Sequence, residues 1–309
     1  MKDRLHRGTV LTTTHVTPGM IRIVLGGDGL SGFETSGVGD EYLRLHFPVP
    51  GTGELVLPRP ELDWTYPEGV TRSPCERYTV RRYDPAHGQV TFDFVVHDGG
   101  VASSWAKAAR PGDELGIGSP RGLYDPPADA THLLLAADAT GLPAVGRLVE
   151  QLPATLRATV IVEIADATHE QTIATDADAE FIWLPGSGNG VGPSRLEEAV
   201  RAVARPGAAP GYVWVAGESA AVRGIRRYLR HELGLPARAY KVISYWQHES
   251  ERWEERWNAL DPEVRRRLDE AYDAMRDHAL KGADGDEASI ERSEDILDTV
   301  EETMERAGL

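Results

Sequence analysis

The hydrophobic period of this chain changes on either side of Pro126-Pro127, so its two halves cannot be one kind of layer. Before that dipeptide, short segments alternate apolar and polar residues. The clearest covers residues 89–96 (QVTFDFVV), which follow a turn at 84–88. A period of two marks strands with one buried face. Six such segments are expected, at 7–15, 20–25, 41–47, 78–83, 89–96 and 114–119, with one helix after Val101. They predict a small antiparallel barrel. Between them, residues 49–74 are rich in Pro and Gly, carry Trp64 and Tyr66, and read as a long lid or binding loop.

After the dipeptide, apolar runs at 131–137, 159–165, 181–184, 212–216 and 240–246 alternate with helical segments at 142–152, 195–204 and 219–233. Uninterrupted apolar strands between helices belong to a parallel sheet covered on both faces. Ligands of such a sheet sit at the carboxyl ends of its strands, here 138–141, Asp166, Gly186 and 217–219. Residues 250–309 are charged and helical, broken at 281–286, with Trp253, Trp257 and Leu260 on one apolar face. The expected division is 1–126, 127–249 and a helical extension over 250–309. That extension reads as docked on its own domain or on a second subunit, with a part in substrate recognition as the alternative.

Lys and Arg number 33 against 49 Asp and Glu, a net charge of −16 that repels polyanions, so no nucleic-acid partner is expected. An anionic ligand needs a local basic patch. Cys75 is the sole cysteine, which excludes an internal disulfide, a cysteine-ligated iron–sulfur cluster and a CxxC motif. Redox chemistry would therefore need a bound organic cofactor. No cluster has metal-ligand spacing, and no apolar run is long enough to cross a bilayer or to lead the chain as a signal, so a cytoplasmic protein without a membrane partner is expected.

Two stretches suit a flavin with a phosphate tail. Arg77-Tyr78-Thr79-Val80-Arg81 reads as a strand presenting a ring and a hydroxyl between guanidiniums. His97-Asp98-Gly99-Gly100-Val101-Ala102-Ser103-Ser104-Trp105 reads as a glycine loop entering a helix. Gly99 and Gly100 permit close backbone approach, the unpaired amides of a helix starting near Ala102 attract a pyrophosphate, and Ser103 and Ser104 can add hydroxyl donors.

These stretches resemble the siderophore-interacting proteins, flavin-dependent ferric-siderophore reductases of the ferredoxin-reductase superfamily. The resemblance continues through Arg110-Pro111-Gly112-Asp113, Ala136-Ala137-Asp138-Ala139-Thr140-Gly141, Ala216-Gly217-Glu218-Ser219 and Tyr245-Trp246. It implies an N-terminal FAD barrel, a pyridine-nucleotide domain, and NADPH or NADH as donor to a ferric siderophore. Flavin would split one hydride into two single-electron transfers, and reduction to Fe(II) would loosen an oxygen-ligated iron. A flavin reductase or diaphorase with another acceptor, and a non-catalytic ferric-siderophore binding protein, are the alternatives.

By the same resemblance Tyr78 packs on the flavin ring and Thr79 points to its N5. The family pattern has arginine two residues before the tyrosine, where Glu76 stands here, so either Arg77 or Arg81 is left for the phosphates. His97 is a flavin contact or structural, and Trp105 is helix core or a neighbour of the adenine. Asp138 and Thr140 lie at a ligand-side strand end and bind the cofactor, while Gly217 and Glu218 end a strand facing the nicotinamide. Tyr245 or Trp246 covers the flavin face that the nicotinamide must reach, and Lys241 is the nearest cation for an anionic chelate or else turns into solvent. Pro185-Gly186 replaces a basic residue of many relatives, which keeps NADH open, with Asp166 as a ribose acceptor. The 186–192 stretch (GSGNGVG) lacks dinucleotide spacing and is expected to be a flexible loop. Gly217-Glu218-Ser219-Ala220-Ala221 lacks the second glycine of a serine-nucleophile turn.

Overall fold

The computed structural model describes residues 4–59, 65–208, 210–248, 250–281 and 287–307. Trp64 and the Trp253 side chain lie outside them. The first sheet contains β1 (His6–Thr17), β2 (Met20–Gly26), β3 (Tyr42–His46), β4 (Cys75–Thr79), β5 (Arg82–Asp84), β6 (Gln89–Val95) and β7 (Glu114–Ile117). Its order is β4-β3-β7-β1-β2-β6-β5, antiparallel throughout. Alternate residues fill its core, among them Ile23, Leu25, Leu43, Leu45, Phe92, Phe94, Leu115 and Ile117. α1 (Val101–Ala108) packs Ala102, Trp105 and Ala106 on the same core.

Seven strands stand where six are expected, because residues 78–83 are not one strand. Thr79 pairs with Tyr42 on β3, Val80 N–H donates to Glu41 O, and from Arg81 N–H to Thr91 O onward the chain pairs with β6. One continuous stretch thus serves both edges, which is how the sheet curls closed.

The second sheet, β10-β9-β8-β11-β12, is parallel throughout: β8 (His132–Ala137), β9 (Arg157–Ile164), β10 (Asp178–Pro185), β11 (Tyr212–Glu218) and β12 (Tyr240–Trp246). α3 (Leu196–Val203) and α4 (Ser219–Arg227) cover one face. α4 stops short of 233 and continues as a single π-helical turn, Tyr228–Glu232. α2 (Leu142–Gln151) covers the other face and is buried from Leu142 to Val149, because the barrel lies against its outer side.

Buried polar groups join the two halves. Arg147 on α2 donates to Glu41 Oε1 and Val80 O, both at 2.7 Å. Arg81 donates to both carboxylate oxygens of Glu150 on α2, with Asp93 at 3.7 Å. Trp214 Nε1 donates to Asp40 Oδ2 at 3.0 Å. Such pairs add little net stability over apolar packing, but removing one partner strands a buried charge.

Beyond the sheet come α5 (Ser250–Ala259), α6 (Pro262–Lys281) and α7 (Glu287–Arg306). Trp257 and Leu260 share the expected apolar face, packing with Val264, Leu268, Tyr272, Val300 and Met304. The acidic side of α7 lies on α4. Arg226, 2% exposed, pairs with Glu294, Asp298 and Glu301, while Arg230 pairs with Glu291, Asp295 and Asp298. Among the described residues no helix is long and apolar enough to cross a membrane.

Candidate functional site: the cleft between barrel and parallel sheet

On the barrel side, Gly99 and Gly100 take φ of +77° and +73°, which side chains rarely adopt, and turn the chain into α1. No side chain caps this helix, so no side-chain acceptor meets its first amides. A Cβ on Gly99 would meet nothing within 4 Å, whereas one on Gly100 would lie 2.9 Å from His97 Cε1. The loop is therefore an open cradle bounded by the His97 ring. Lys107 Nζ donates to His97 O at 3.0 Å, keeping a cation beside it.

Several expected ligands are turned elsewhere. The Ser103 hydroxyl is 2% exposed and spent on the His97 backbone, accepting from its N–H at 3.0 Å and donating to its carbonyl at 2.8 Å. It braces the loop, and only Ser104 keeps an exposed side chain. Ala102 and Val80 are core. Arg81 is the strut to Glu150, so of the two candidate arginines Arg77 alone is free. The Tyr78 ring is half-buried in an aromatic cluster, 4.6 Å from the Phe94 centroid and 6.2 Å from Phe47, with Trp105 closing the group. Only its remaining edge is available to a cofactor, and Trp105 is helix core.

At the sheet end, side-chain carboxylates occupy the turns. Asp138, 1% exposed, accepts from Thr140 N at 2.8 Å, Thr140 Oγ1 at 2.6 Å and Trp246 Nε1 at 2.6 Å. Burial pushes its carboxyl pKa up, and the Thr140 and Trp246 hydrogen bonds oppose that rise without cancelling it. Glu218 Oε2 accepts from Ala220 N and Ala221 N, and its Oε1 from His248 N. Asp166 Oδ1 accepts from Thr168 N and Oγ1, which lowers its pKa and leaves that oxygen unavailable to a ribose. Asp138, Thr140 and Glu218 are thus bound to the protein itself.

The 186–192 stretch is pinned and not flexible. Buried Glu163 accepts from Ser187 Oγ, Ser194 Oγ and Arg195 N, while Asn189, at φ +57°, donates to Glu163 O and accepts from Ala139 N. Arg195 then donates from Nη2 to Pro185 O at 3.0 Å. It brings a guanidinium to the point where the sequence lacks a basic residue.

Between the two ends, the Tyr245 phenol oxygen is the one buried side-chain polar atom among the described residues that no hydrogen bond satisfies. Burial pushes its pKa up and the neighbouring Thr79 hydroxyl pulls the other way, although Thr79 is not placed to close a hydrogen bond. A buried donor left without a partner is costly and fits a polar group arriving with a ligand. On β3 and β4, Thr79 faces Tyr42 and Arg77 faces Arg44 across the ladder, followed by Cys75 opposite His46. Like charges in direct register repel, and neither arginine forms an ion pair with a described residue. Lys241 stands at the amino end of β12, roughly 13 Å along the strand from Tyr245 at about 3.3 Å per residue, and on the same face. Arg44 and Arg195 went unnoticed in the sequence, since only strand register and a loop closure ten residues long bring them here.

The residues fit a flavin: an uncapped helix start, a glycine cradle and an orphaned hydroxyl at the domain junction. Both halves of the chain match known proteins. Residues 9–124 match the siderophore-interacting FAD-binding domain, and residues 130–249 match the siderophore-interacting protein domain. An NADPH-dependent ferric-chelate reductase of Escherichia coli is 32% identical over 79% of this chain and 93% of its own. A ferric vibriobactin reductase of Vibrio cholerae is 30% identical over 81% of this chain and 93% of its own. The crystal structure of a siderophore utilization protein from T. fusca superposes with a TM-score of 0.71 at 34% identity, covering 80% of this chain and 94% of that one. A ferredoxin reductase of carbazole 1,9a-dioxygenase, 14% identical with a TM-score of 0.57, shares the fold. With both halves matched in order and the relatives covered nearly end to end, the chain belongs to the siderophore-interacting protein family.

Proposed function

We propose that the chain is an FAD-dependent reductase that draws electrons from NADPH and delivers them to a ferric siderophore. The observation that carries this reading is the buried, unpaired Tyr245 hydroxyl beside Thr79, where the barrel meets the last strand of the nucleotide sheet. Flavin, when bound, supplies the conversion of a two-electron donor into a one-electron reductant. The α1 amides and Ser104 hold its pyrophosphate, and His97 walls the turn. Thr79 and Tyr245 offer hydroxyls to its ring, with the exposed edge of Tyr78 beside them. The unpaired Arg44–Arg77 pair, with Lys241 on the facing strand, gives an anionic ferric chelate a local attraction against the overall field of −16. Arg195 supports NADPH over NADH, because a guanidinium at the end of a nucleotide sheet suits a 2′-phosphate. The division at 126 and 249 belongs to the same reading.

The test is anaerobic. Purified protein is loaded with FAD and mixed with NADPH or NADH, then offered ferric chelates of graded charge with Fe(II) trapped by a chromogenic chelator. The expected result is flavin bleaching faster with NADPH, followed by Fe(II) release. Bleaching without Fe(II) release from any chelate would assign a diaphorase, and ferric-chelate binding without bleaching would assign a carrier.

A further inference from the structure

Helix α2 begins at Leu142, directly after the 138–141 turn that ends β8 on the ligand side of the parallel sheet. About 8 Å further along its axis, at 1.5 Å per residue, it meets the barrel. Arg147 and Glu150, three residues apart and hence neighbours on the helix surface, make the contact. Arg147 holds Glu41 and Val80 O, while Glu150 holds the guanidinium of Arg81. Val80 and Arg81 directly follow Thr79, so α2 grips the flavin-side strand where it crosses from one edge of the barrel to the other. The two grips have opposite polarity. A slip of α2 by one turn would set Arg147 against Arg81, so the pair fixes register as well as distance. The fit around it is close: a Cβ on Gly39 would lie 2.7 Å from Leu148 Cδ2 and 3.0 Å from Leu148 Cα. The stretch that carries Gly39 is itself held, with Gln151 Nε2 donating to Gly37 O at 3.3 Å and Leu123 N, Tyr124 N and Trp214 Nε1 donating to the Asp40 carboxylate.

We propose that α2 is a rigid strut that sets the spacing between nicotinamide and flavin, with Arg147 and Glu150 as positioning residues for hydride transfer, a role that rests on the reductase reading above. The step moves one hydride, with its electron pair, from NADPH, which becomes NADP+, to the oxidised flavin. It needs reacting atoms about 3–3.5 Å apart, and a misplacement of about 1 Å lowers the rate about 100-fold. A helix that starts at the nucleotide turn and grips the Thr79 strand carries any shift of one half directly into that separation.

Two substitutions disturb the strut by different routes. Gly39→Ala wedges a methyl against the α2 backbone without removing a charge or touching either ligand site. Glu150→Gln, at a side chain 37% exposed, removes one charge and keeps the packing. Flavin bleaching at saturating NADPH is followed by anaerobic rapid mixing and NADP+ affinity by calorimetry, with FAD content and melting temperature as checks on folding. The disposition of the two halves is read separately, in FAD-loaded protein without nucleotide, as the distance between spin labels on the exposed Cys75 and on Glu180→Cys at the outer strand of the parallel sheet. Bleaching is expected to slow about tenfold in Gly39→Ala and about threefold in Glu150→Gln, with FAD and NADP+ affinities within about twofold of the parent and the label distance shifted or broadened in the same order. Glu150→Gln alone decides if Gly39→Ala fails the folding checks. Bleaching at the parent rate, a slowing matched by weaker NADP+ binding, or a slowing with the label distance unchanged overturns the strut and leaves the reductase reading intact. Absence of bleaching of the parent by NADPH and NADH alike, with FAD retained, overturns both together.

Discussion

The two ends of the cleft treat the backbone in opposite ways. At α1 the chain spends two left-handed glycines on a turn that leaves amides uncapped, and the nearby Ser103 hydroxyl that could have capped them is directed to the His97 backbone instead. At the parallel sheet, Asp138, Asp166 and Glu218 satisfy the turn amides from within. An end whose donors no side chain meets suits a group that stays bound, because the empty form bears the cost. An end that satisfies itself suits a group that comes and goes, since the protein is whole in its absence.

That contrast breaks first at Gly100. Gly100→Val forces a branched residue into φ +73° and against the His97 ring, and flavin affinity is expected to fall about 100-fold, about 2.7 kcal/mol. Gly217→Ala, at the other end, is expected to leave flavin retention unchanged. Flavin fluorescence titration of both variants decides the pair: equal losses would erase the distinction between the two ends.

Arg195→Ala probes what the self-satisfied end adds for a ligand. Loss of one charge-assisted contact is expected to weaken NADP+ about tenfold, with NAD+ unaffected. Calorimetry with both nucleotides reads this, and equal weakening would assign Arg195 to the loop alone. A smaller effect is expected for Lys241→Ala, about a two- to threefold rise in KM for anionic ferric chelates that shrinks at high salt. A change that persists in salt would mean contact by another route.

The smallest effect concerns acid. Burial raises the Asp298 carboxyl, but Arg226 and Arg230 outweigh it and hold the group below its ordinary 3.8. Glu291 is held below 4.5 by the Ala237 amide, with Arg230 assisting against burial. Carboxylates depressed on folding stabilise the docked form above their ordinary values, and that contribution is lost as pH falls through the lowered ones. Hydrogen exchange in α7, corrected for intrinsic rate, should therefore quicken below pH 4 while that of β8 holds. Parallel quickening in both would mean that α7 does not loosen separately.

The layers were legible from the chain because each is written in local period: alternation for β2 and β6, continuous apolar runs for β8 and β11. The glycine cradle was legible too, since Gly99 and Gly100 precede their helix directly. What escaped depends on partners far away in sequence. Residues 78–83 alternate as one strand would, and only the separate claims of β3 and β6 on either side of Val80 divide them. Arg81 has the look of a phosphate ligand until Glu150, 69 residues on, takes both ends of its guanidinium. The 186–192 glycines look loose until Glu163 is seen beneath them.

The clasp between α4 and α7 has a consequence for how the protein is made. The carboxylates that pair with Arg226 lie 68 to 75 residues downstream of it. During synthesis, at roughly 5–20 residues per second, α4 leaves the ribosome several seconds before its counter-charges exist. For that interval the nascent nucleotide domain carries Arg226 and Arg230 bare on a helix whose other side is already seeking the sheet. Any acidic surface nearby, including the ribosome's own RNA, competes for them until α7 arrives.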